Sequence, residues 1–251
     1  FFVKECERIF TSHLAKNRHY RKTIEFLSHR KFATRGQISK HLKEESNGSL
    51  TKLLKDLEVC GFISKYAPYN LKETSTLVRY SISDPYLQFY FKFIAPNLQE
   101  IQARSFHQRP LDGLDTEAYQ KWLGFTFERF CRKYHRVFAK ILGFESVRYR
   151  SGTFFNRETN RDHPGFQIDL LFFREDRVVT LCEIKYLKSK VTRKIIPEFE
   201  QRKELFVPFA KNKSIQKVLI APEGADESLK GAGYFDRIIE LDDLFEKRLW
   251  I

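Results

Sequence analysis

Gln167-Ile168-Asp169-Leu170-Leu171-Phe172-Phe173 and Leu181-Cys182-Glu183-Ile184-Lys185-Tyr186 are two short apolar segments separated by a charged turn. Each reads as a strand, and each carries ionisable groups where a buried strand should have none. A carboxylate buried without a partner either neutralises or finds a cation, so Asp169, Glu183 and Lys185 call for a common explanation. Strand alternation puts Glu183 and Lys185 on one face and Cys182, Ile184 and Tyr186 on the other. Acid and ammonium therefore project together.

Two carboxylates beside a lysine are hard oxygen donors suited to Mg2+ or Mn2+, a cation that can acidify a bound water and stabilise charge on a phosphate. Lys185 would orient that water or hold the phosphate. The plainer alternative is a solvated Glu-x-Lys on a half-exposed strand, with Asp169 at a strand end. Register separates the two. Asp169 stands opposite Glu183 only if Arg174 pairs with Val178 and Glu175-Asp176-Arg177 form a three-residue loop. A two-residue turn would slip the pairing by one and send Glu183 to the other face. The metal-site reading thus predicts an odd-length loop, or a bulge, between Asp169 and Glu183.

With these residues the segment resembles the PD-(D/E)XK nuclease superfamily, in which an Asp on one strand and a Glu-x-Lys on the next form the metal site. The surrounding order is compatible. A long amphipathic helix, Asp115 to Leu142, contains Gly124-Phe125-Thr126-Phe127-Glu128-Arg129-Phe130 and precedes the strands. A helix from Pro197 to Ala210, a strand over Ile215 to Pro222 and a last strand over Arg237 to Leu241 follow, giving an α-β-β-β-α-β reading. The strict Pro-Asp is absent, since Asp169 follows Ile168. The resemblance implies Asp169 and Glu183 as metal ligands, Lys185 as the water-activating or phosphate-binding lysine, and Glu128 as an acid added by the first helix. From its spacing alone, Glu128 could equally pair with Arg132 at i+4. Glu200 and Gln201, on the following helix, are weaker candidates for support.

Composition sets the outer bounds. With 251 residues, 42% hydrophobic content and 25 Phe, the chain can bury one large or two small cores, and the length favours two. The net charge of +13 points to an acidic polymer as partner. Residues 1–96 hold 17 Lys+Arg against 9 Asp+Glu, and residues 97–251 hold 28 against 23, so the first part is the more basic per residue. Cys6, Cys60, Cys131 and Cys182 are scattered without a CxxC pair, which argues against a zinc ribbon or disulfide scaffold and for a reducing, cytoplasmic setting. No stretch has the length of a membrane span or the look of a signal peptide. The absence of methionine, even at position 1, reads as a chain that begins inside a longer protein or has lost its start.

The first half has a different grammar. Tyr20 to Arg30 places Ile24, Phe26 and Leu27 on a helical stripe. Thr34 can cap a second helix, Arg35 to Lys43, and Asn47-Gly48-Ser49 precede a third, Leu50 to Cys60, ended by Gly61. Leu50, Leu53, Leu54 and Leu57 make its inward stripe. Phe62 to Tyr66 and Leu77 to Ile82 then read as a hairpin. Three helices and a hairpin are the plan of a winged helix-turn-helix, whose third helix enters the major groove while the wing touches backbone. DNA contact falls to Lys52, Lys55, Lys65, Lys72 and Arg79, although such modules also serve protein partners. Asp84-Pro85 start a further helix that Pro96 ends. Its aromatics, Tyr86, Phe89, Tyr90, Phe91 and Phe93, read as a packed connector.

A second resemblance rests on Leu57-Glu58-Val59-Cys60-Gly61-Phe62-Ile63, on Tyr80 to Ile94 with its Asp-Pro-Tyr-Leu and Phe-Tyr-Phe, and on Gly124-Phe125-Thr126-Phe127-Glu128. These look like the C-terminal region of archaeal and bacterial AAA+ ATPases, which joins an ATPase domain to a winged helix and a nuclease-like domain. The likeness runs from about Tyr20 to the end. It implies an ATPase partner, in cis or in trans. This sequence has no Gly-x-x-x-x-Gly-Lys-Ser/Thr, so it cannot cradle a nucleotide phosphate in that way.

The domains expected are therefore residues 1–19 (an N-terminal helix, a remnant of the ATPase part), 20–83 (winged helix-turn-helix), 84–114 (connector) and 115–251 (nuclease-like), an α+β chain. Lys188, Lys190, Arg193 and Lys194 follow Lys185 in a stretch free of acids, with Arg148, Arg150, Arg157 and Arg161 on the other side, and phosphate contact is the role that suits them. Two functions remain open: a Mg2+-dependent DNA endonuclease, and a non-catalytic DNA- or protein-binding module of an AAA+ system. A transcription regulator would leave the second half unexplained.

Overall fold

The computed structural model describes residues 8, 18–45, 48–70, 78–156 and 164–250. The chain is mixed α/β and divides into two compact units, Phe1–Ala67 with Leu71–Gln120, and Pro68–Asn70 with Lys121–Ile251. The aromatic segment expected as a separate connector groups with the first unit. The N-terminal helix expected over 1–19, save Arg8 and its last two residues, lies outside the described residues, as does Lys72. Among the described residues no helix is long and apolar enough to cross a membrane.

In the first unit α1 (Arg18–Ser28), β1 (Ala33–Thr34), α2 (Arg35–Leu42) and α3 (Gly48–Val59) precede β2 (Ile63–Tyr66) and β3 (Arg79–Ile82). Thr34 caps α2 in a capping box with Gln37, satisfying donors that a helix start leaves free. Gly61, at φ 77°, donates to Glu58 O and ends the turn after α3. Leu50, Leu53, Leu54 and Leu57 are buried as the stripe requires, against Ile24, Leu27 and Ile38. Each such Leu contributes roughly 1.5–3 kcal/mol of transfer free energy. The three strands are ordered β1-β3-β2, all antiparallel.

Asp84 caps the next helix, α4 (Pro85–Phe89), by accepting from Tyr86 N at 2.8 Å. The expected single helix then widens into a π turn over Tyr90–Ile94 and tightens into a 3-10 turn over Ala95–Asn97. Pro96 cannot donate to the helical ladder, and Asn97 Nδ2 donates to Phe93 O at 3.0 Å instead. The widened turn lets Tyr90, Phe91 and Phe93 all be buried. After α5 (Leu98–Gln102) comes the long helix, and it is not one helix but two. α6 (Thr116–Lys133) stops at Tyr134, and α7 (His135–Ile141) follows. Neither Pro nor Gly causes the break; the Tyr134 ring packs against Phe130 and Trp250.

The second unit is built on a five-stranded sheet ordered β4-β5-β6-β7-β8: β4 (Tyr149–Asn156), β5 (Phe166–Arg174), β6 (Val178–Ile184), β7 (Ser214–Ile220) and β8 (Arg237–Ile239). The first three are antiparallel, and β6, β7 and β8 run parallel, with α8 (Ile195–Phe206) crossing from β6 to β7 and the short α9 (Glu227–Gly231) from β7 to β8. Both faces are covered. One core gathers Ile168, Leu171, Leu181 and Leu219 under Phe199 and Phe206 of α8, and the other packs Leu170, Phe172, Cys182 and Ile184 with Cys131 and Phe138 of α6 and α7. Burial on both sides explains why β5 and β6 read as nearly continuous apolar runs.

Candidate functional site

The β5–β6 hairpin pairs Leu170 with Cys182, Leu171 with Leu181, Phe172 with Thr180 and Phe173 with Val179. Carried one step towards the loop, that register sets Arg174 against Val178; in the other direction the pairing ends at Leu170 with Cys182, and it is Ile168 that lines the recess of Glu183. The loop between is Glu175-Asp176-Arg177, and Arg177 takes the left-handed conformation, φ 65°, usual for the last position of such a three-residue connection. The loop has the odd length that the metal-site reading asks for, but a bulge in β5 separates Asp169 from the face of Glu183. On the other side of β5, Gly152 pairs with Leu171 and Phe154 with Ile168, so Asp169 and Leu170 together face Thr153 alone. The bulge re-aims the strand at Asp169, and Ile168 and Leu170 consequently point into opposite cores.

Alternation sorts β6 as expected. Cys182 and Ile184 enter the core beneath α6 and α7, Tyr186 contacts the Phe127 ring, and Glu183 and Lys185 share the other face. Lys185 N donates to Ile220 O at 2.9 Å, which holds its backbone against β7 beyond the end of the strand. Glu183 is 2% exposed. Its Oε1 accepts from Lys185 Nζ at 3.0 Å and from an Arg202 guanidinium nitrogen at 2.8 Å. That same nitrogen lies 3.3 Å from Glu198 Oε1, and Arg202 Nε donates to Glu198 O at 3.3 Å. Ile168, Leu181 and Phe199 wall the recess around Glu183 and Arg202.

Burial disfavours the charge on Lys185, but the charge of Glu183 and its hydrogen bond outweigh burial and hold the lysine above its ordinary pKa. The same balance raises Arg202, with Glu183, Glu198 and Asp169 all on the raising side. Asp169 is half-buried and accepts from Gln167 Nε2 at 3.1 Å. Its charge also adds to the raised pKa of Cys182 and, less, of Cys131, which burial dominates in both. Both thiols are free and buried, and Cys60 is free and exposed.

Other expected residues fare differently. Glu128 pairs with Arg132 at 3.4 Å, the i+4 alternative. Among the described residues no three His, Cys, Asp or Glu side chains form a group that could hold a metal, so Glu128 is not a third donor beside Asp169 and Glu183. Glu200 accepts from Lys203 at 2.5 Å and from the Tyr234 hydroxyl. Lys188, Lys190, Arg193 and Lys194 are all exposed on the loop into α8, which buried Val191 pins through its hydrogen bonds with Gly224 and Asp226. Lys52, Lys55 and Lys65 are exposed. Arg79 is the correction: β3 is the central strand of its sheet, all four of its residues are buried, and the Arg79 guanidinium lies over the Phe32 ring at 4.0 Å. It is no surface contact for DNA.

Arg202 escaped the sequence reading. A signal for it existed, because Ile195, Phe199, Arg202 and Phe206 fall on one helical stripe, and the other three are buried. A cation on an inward stripe implies a buried acid opposite.

Residues 90–196 match the family DUF234, described as archaea bacterial proteins of unknown function. That span holds Asp169, Glu183 and Lys185 and stops short of Arg202. An uncharacterized protein of Methanocaldococcus jannaschii is 27% identical over 175 residues, 68% of this chain and 37% of that protein, so the match spans little more than a third of the relative's length. No solved structure matches.

Proposed function

We propose that the second unit carries a metal-dependent phosphodiester-hydrolysing site of the PD-(D/E)XK kind and that the first unit is a winged helix that binds duplex DNA. The observation that carries the reading is buried Glu183 with Lys185 on its face, followed by the exposed Lys188, Lys190, Arg193 and Lys194, while Asp169 on the neighbouring strand is turned by the bulge toward the face of Leu170. Among the described residues no three His, Cys, Asp or Glu gather for a cation, and Glu183 is paired with Lys185 and Arg202, so the donor set as it stands does not fit a hard divalent cation. Mg2+ binds through as few as one or two carboxylates, completing its shell with water and substrate phosphate, so the reading requires Asp169 and Glu183 to be brought together when the cation and DNA bind. Held by Asp169 and Glu183, Mg2+ or Mn2+ would supply Lewis acidity at the phosphate and a water of lowered pKa.

The rest falls to the chain's own groups. Lys185 stays an ammonium at neutral pH, its pKa being raised, so it serves as a fixed positive charge toward the scissile phosphate rather than as a base. Exposed Lys188, Lys190, Arg193 and Lys194 hold neighbouring phosphates of the backbone. In the first unit Lys52 and Lys55, outward on α3, and Lys65 on β2 contact the duplex, and an AAA+ ATPase part, in cis or in trans, is the partner that the resemblance suggests.

Cleavage of branched, single-stranded and duplex DNA with Mg2+ or Mn2+ tests the proposal. Asp169→Ala and Glu183→Ala should abolish cleavage and leave DNA affinity unchanged or tighter, since each removes a negative charge facing phosphate. Lys185→Ala should slow the reaction and preserve metal binding. A wild type that cuts none of these under either ion leaves the non-catalytic binding module as the function.

A further inference from the structure

At the end of the sheet where β5 turns into β6, roughly 17 Å along β6 from Glu183 at about 3.3 Å per residue, basic side chains gather from three segments. Arg148 and Arg150 stand at the start of β4, Arg174 and Arg177 flank the turn, and Lys211 and Lys213 lead into β7. The acids there, Glu175 and Asp176, do not neutralise them. Asp176 is taken by Arg174, through Nε at 3.0 Å and a second guanidinium nitrogen. Glu175 meets Arg148 at 3.5 Å, and both side chains are mostly exposed, so that pair contributes little. Arg150, Lys211 and Lys213 have no carboxylate partner among the described residues. Aromatic rings hold them instead. The Tyr69 and Phe173 rings stack at 5.5 Å; Arg150 lies 4.9 Å over Tyr69 and donates to its hydroxyl at 2.9 Å, while Lys213 and Lys211 stand 4.8 and 5.9 Å from the Phe173 centroid. A ring face fixes a cation without cancelling its charge. Lys211 and Asn212 take left-handed backbone, φ 52° and 59°, which side chains disfavour, and the turn they make brings both lysines to one ring.

Between these segments lies a cavity of about 390 Å³, lined by Arg148, Arg150, Arg174 and Lys213 together with Phe173 and Glu175. We propose that this cavity binds a phosphate monoester presented end-on, as at the terminus of a nucleic-acid strand or on a free nucleotide. A monoester carries close to two negative charges at neutral pH and three acceptor oxygens, which suits cations converging on one concavity from three directions. A backbone diester has a single charge and fewer free oxygens. Arg148 and Arg150 supply forked donors, and Lys213, held by the Arg174 carbonyl oxygen at 2.5 Å, supplies a fixed point charge. Glu175 is the opposing charge in the lining, and Arg148 has to leave it to reach the phosphate. This site goes beyond the nuclease reading and needs neither a metal nor Asp169 and Glu183.

Fluorescence anisotropy with a short single-stranded oligonucleotide bearing either a 5′-phosphate or a 5′-hydroxyl, and calorimetry with deoxyadenosine monophosphate, test this on the whole chain in EDTA. Wild type should bind the phosphorylated strand on the order of tenfold more tightly than its hydroxyl twin. Arg150→Ala and Lys213→Ala should bring that ratio to within about twofold of one, and Glu175→Gln should raise it. Arg248→Ala removes the same charge from an exposed pair with Glu246 outside the cavity lining, and should leave the ratio unchanged. A ratio near one, with nucleotide binding that Arg150→Ala abolishes, assigns the cavity to a free nucleotide and keeps the phosphate site. A ratio that Arg248→Ala lowers as much as Arg150→Ala does overturns the proposal, because general charge then explains the preference. A ratio near one without nucleotide binding by folded wild type also overturns it. Should Lys213→Ala fail to fold, exposed Arg150 decides. Cleavage assays bear on the nuclease reading alone, since none of these measurements involves a metal.

Discussion

Replacing Glu183 by Gln keeps the shape of the side chain and removes the charge that Lys185 and Arg202 neutralise. At an effective dielectric near 20, a unit charge pair about 3 Å apart attracts by about 5–6 kcal/mol before desolvation is counted, and removing one partner of a buried pair typically costs about 3–5 kcal/mol net. Two features of this site lower that figure: Arg202 keeps Glu198 at 3.3 Å, and Lys185 is one-third exposed. A loss of about 3 kcal/mol results, within a range of about 2–4. With a urea slope of about 2 kcal/mol/M the midpoint should fall by about 1.5 M. Intrinsic fluorescence is a suitable probe, since both tryptophans, Trp122 and Trp250, belong to the second unit, and the Trp250 ring packs against Phe130 and Tyr134. The stranded cation is the source of the loss, so the Glu183→Gln/Arg202→Gln double variant should recover about 1 kcal/mol or more relative to additivity. A midpoint shift below about 0.5 M, or strict additivity in the double variant, refutes the view that Glu183 is the anchor of a buried ion cluster.

Three further outcomes follow from the same geometry. Replacing Lys188, Lys190, Arg193 and Lys194 together by Ala should flatten the salt dependence of duplex affinity, reducing the slope of log K against log salt by up to about 3.6, at about 0.9 per phosphate contact; an unchanged slope removes this loop from the interface. Arg79→Ala should destabilise the first unit by about 1–3 kcal/mol with little change in the DNA affinity of the protein that remains folded, whereas Lys52→Ala and Lys55→Ala should weaken binding and leave the urea midpoint in place. Tyr20, whose hydroxyl donates to Asp56 at 2.6 Å, is pushed up to about 12, chiefly by that hydrogen bond and then by burial. Because the fold favours the protonated phenol, its contribution is complete below the unfolded value of about 10 and is lost as the pH climbs from about 10 to about 12. The stability gap between wild type and Tyr20→Phe, followed by far-UV circular dichroism in urea, should therefore narrow between pH 9.5 and about 12, and a gap independent of pH would show that the hydroxyl's bond to Asp56 is not what Tyr20 contributes.

What could be read from the sequence was set by period and by charge cost. Glu183 and Lys185 on one face, with Cys182, Ile184 and Tyr186 on the other, follow from a repeat of two, and once one face is buried a single residue of slip is forbidden. An odd-length loop or a bulge between Asp169 and Glu183 was the expectation, and both occur, the loop at Glu175-Asp176-Arg177 and the bulge at Asp169-Leu170. With both faces apolar, however, the period alone could not say that the bulge would separate the two acids. β4 was not legible, because Tyr149 to Asn156 interrupts its apolar positions with Arg150, Ser151 and Gly152, and its strand character comes from pairing along β5 rather than from its own pattern. Arg79 was misread for a related reason: a hairpin strand in isolation has an open face, and only β1 joining as a third strand beside β3 closes it. The break at Tyr134 left no trace, since no Pro or Gly marks it and the ring that holds it, Trp250, comes from the far end of the chain.

Arg202 is the instructive omission. The cost of burying Glu183 was recognised from the strand, and it was met there with the neighbouring lysine and an external cation. A buried acid with two oxygens can satisfy more than one donor, however, and Lys185 at 33% exposure is too solvated to neutralise it alone. The remaining partner had to come from whatever element covers that face, and in a β-α-β crossover that element is the helix between the strands. Within α8 two basic residues, Arg202 and Lys203, fall on or beside the stripe of Ile195, Phe199 and Phe206. The charge deficit of β6, taken with the handedness of the crossover and the helical period, narrows the balancing cation to Arg202 or Lys203, and the structure shows Arg202 on Glu183 while Lys203 takes Glu200.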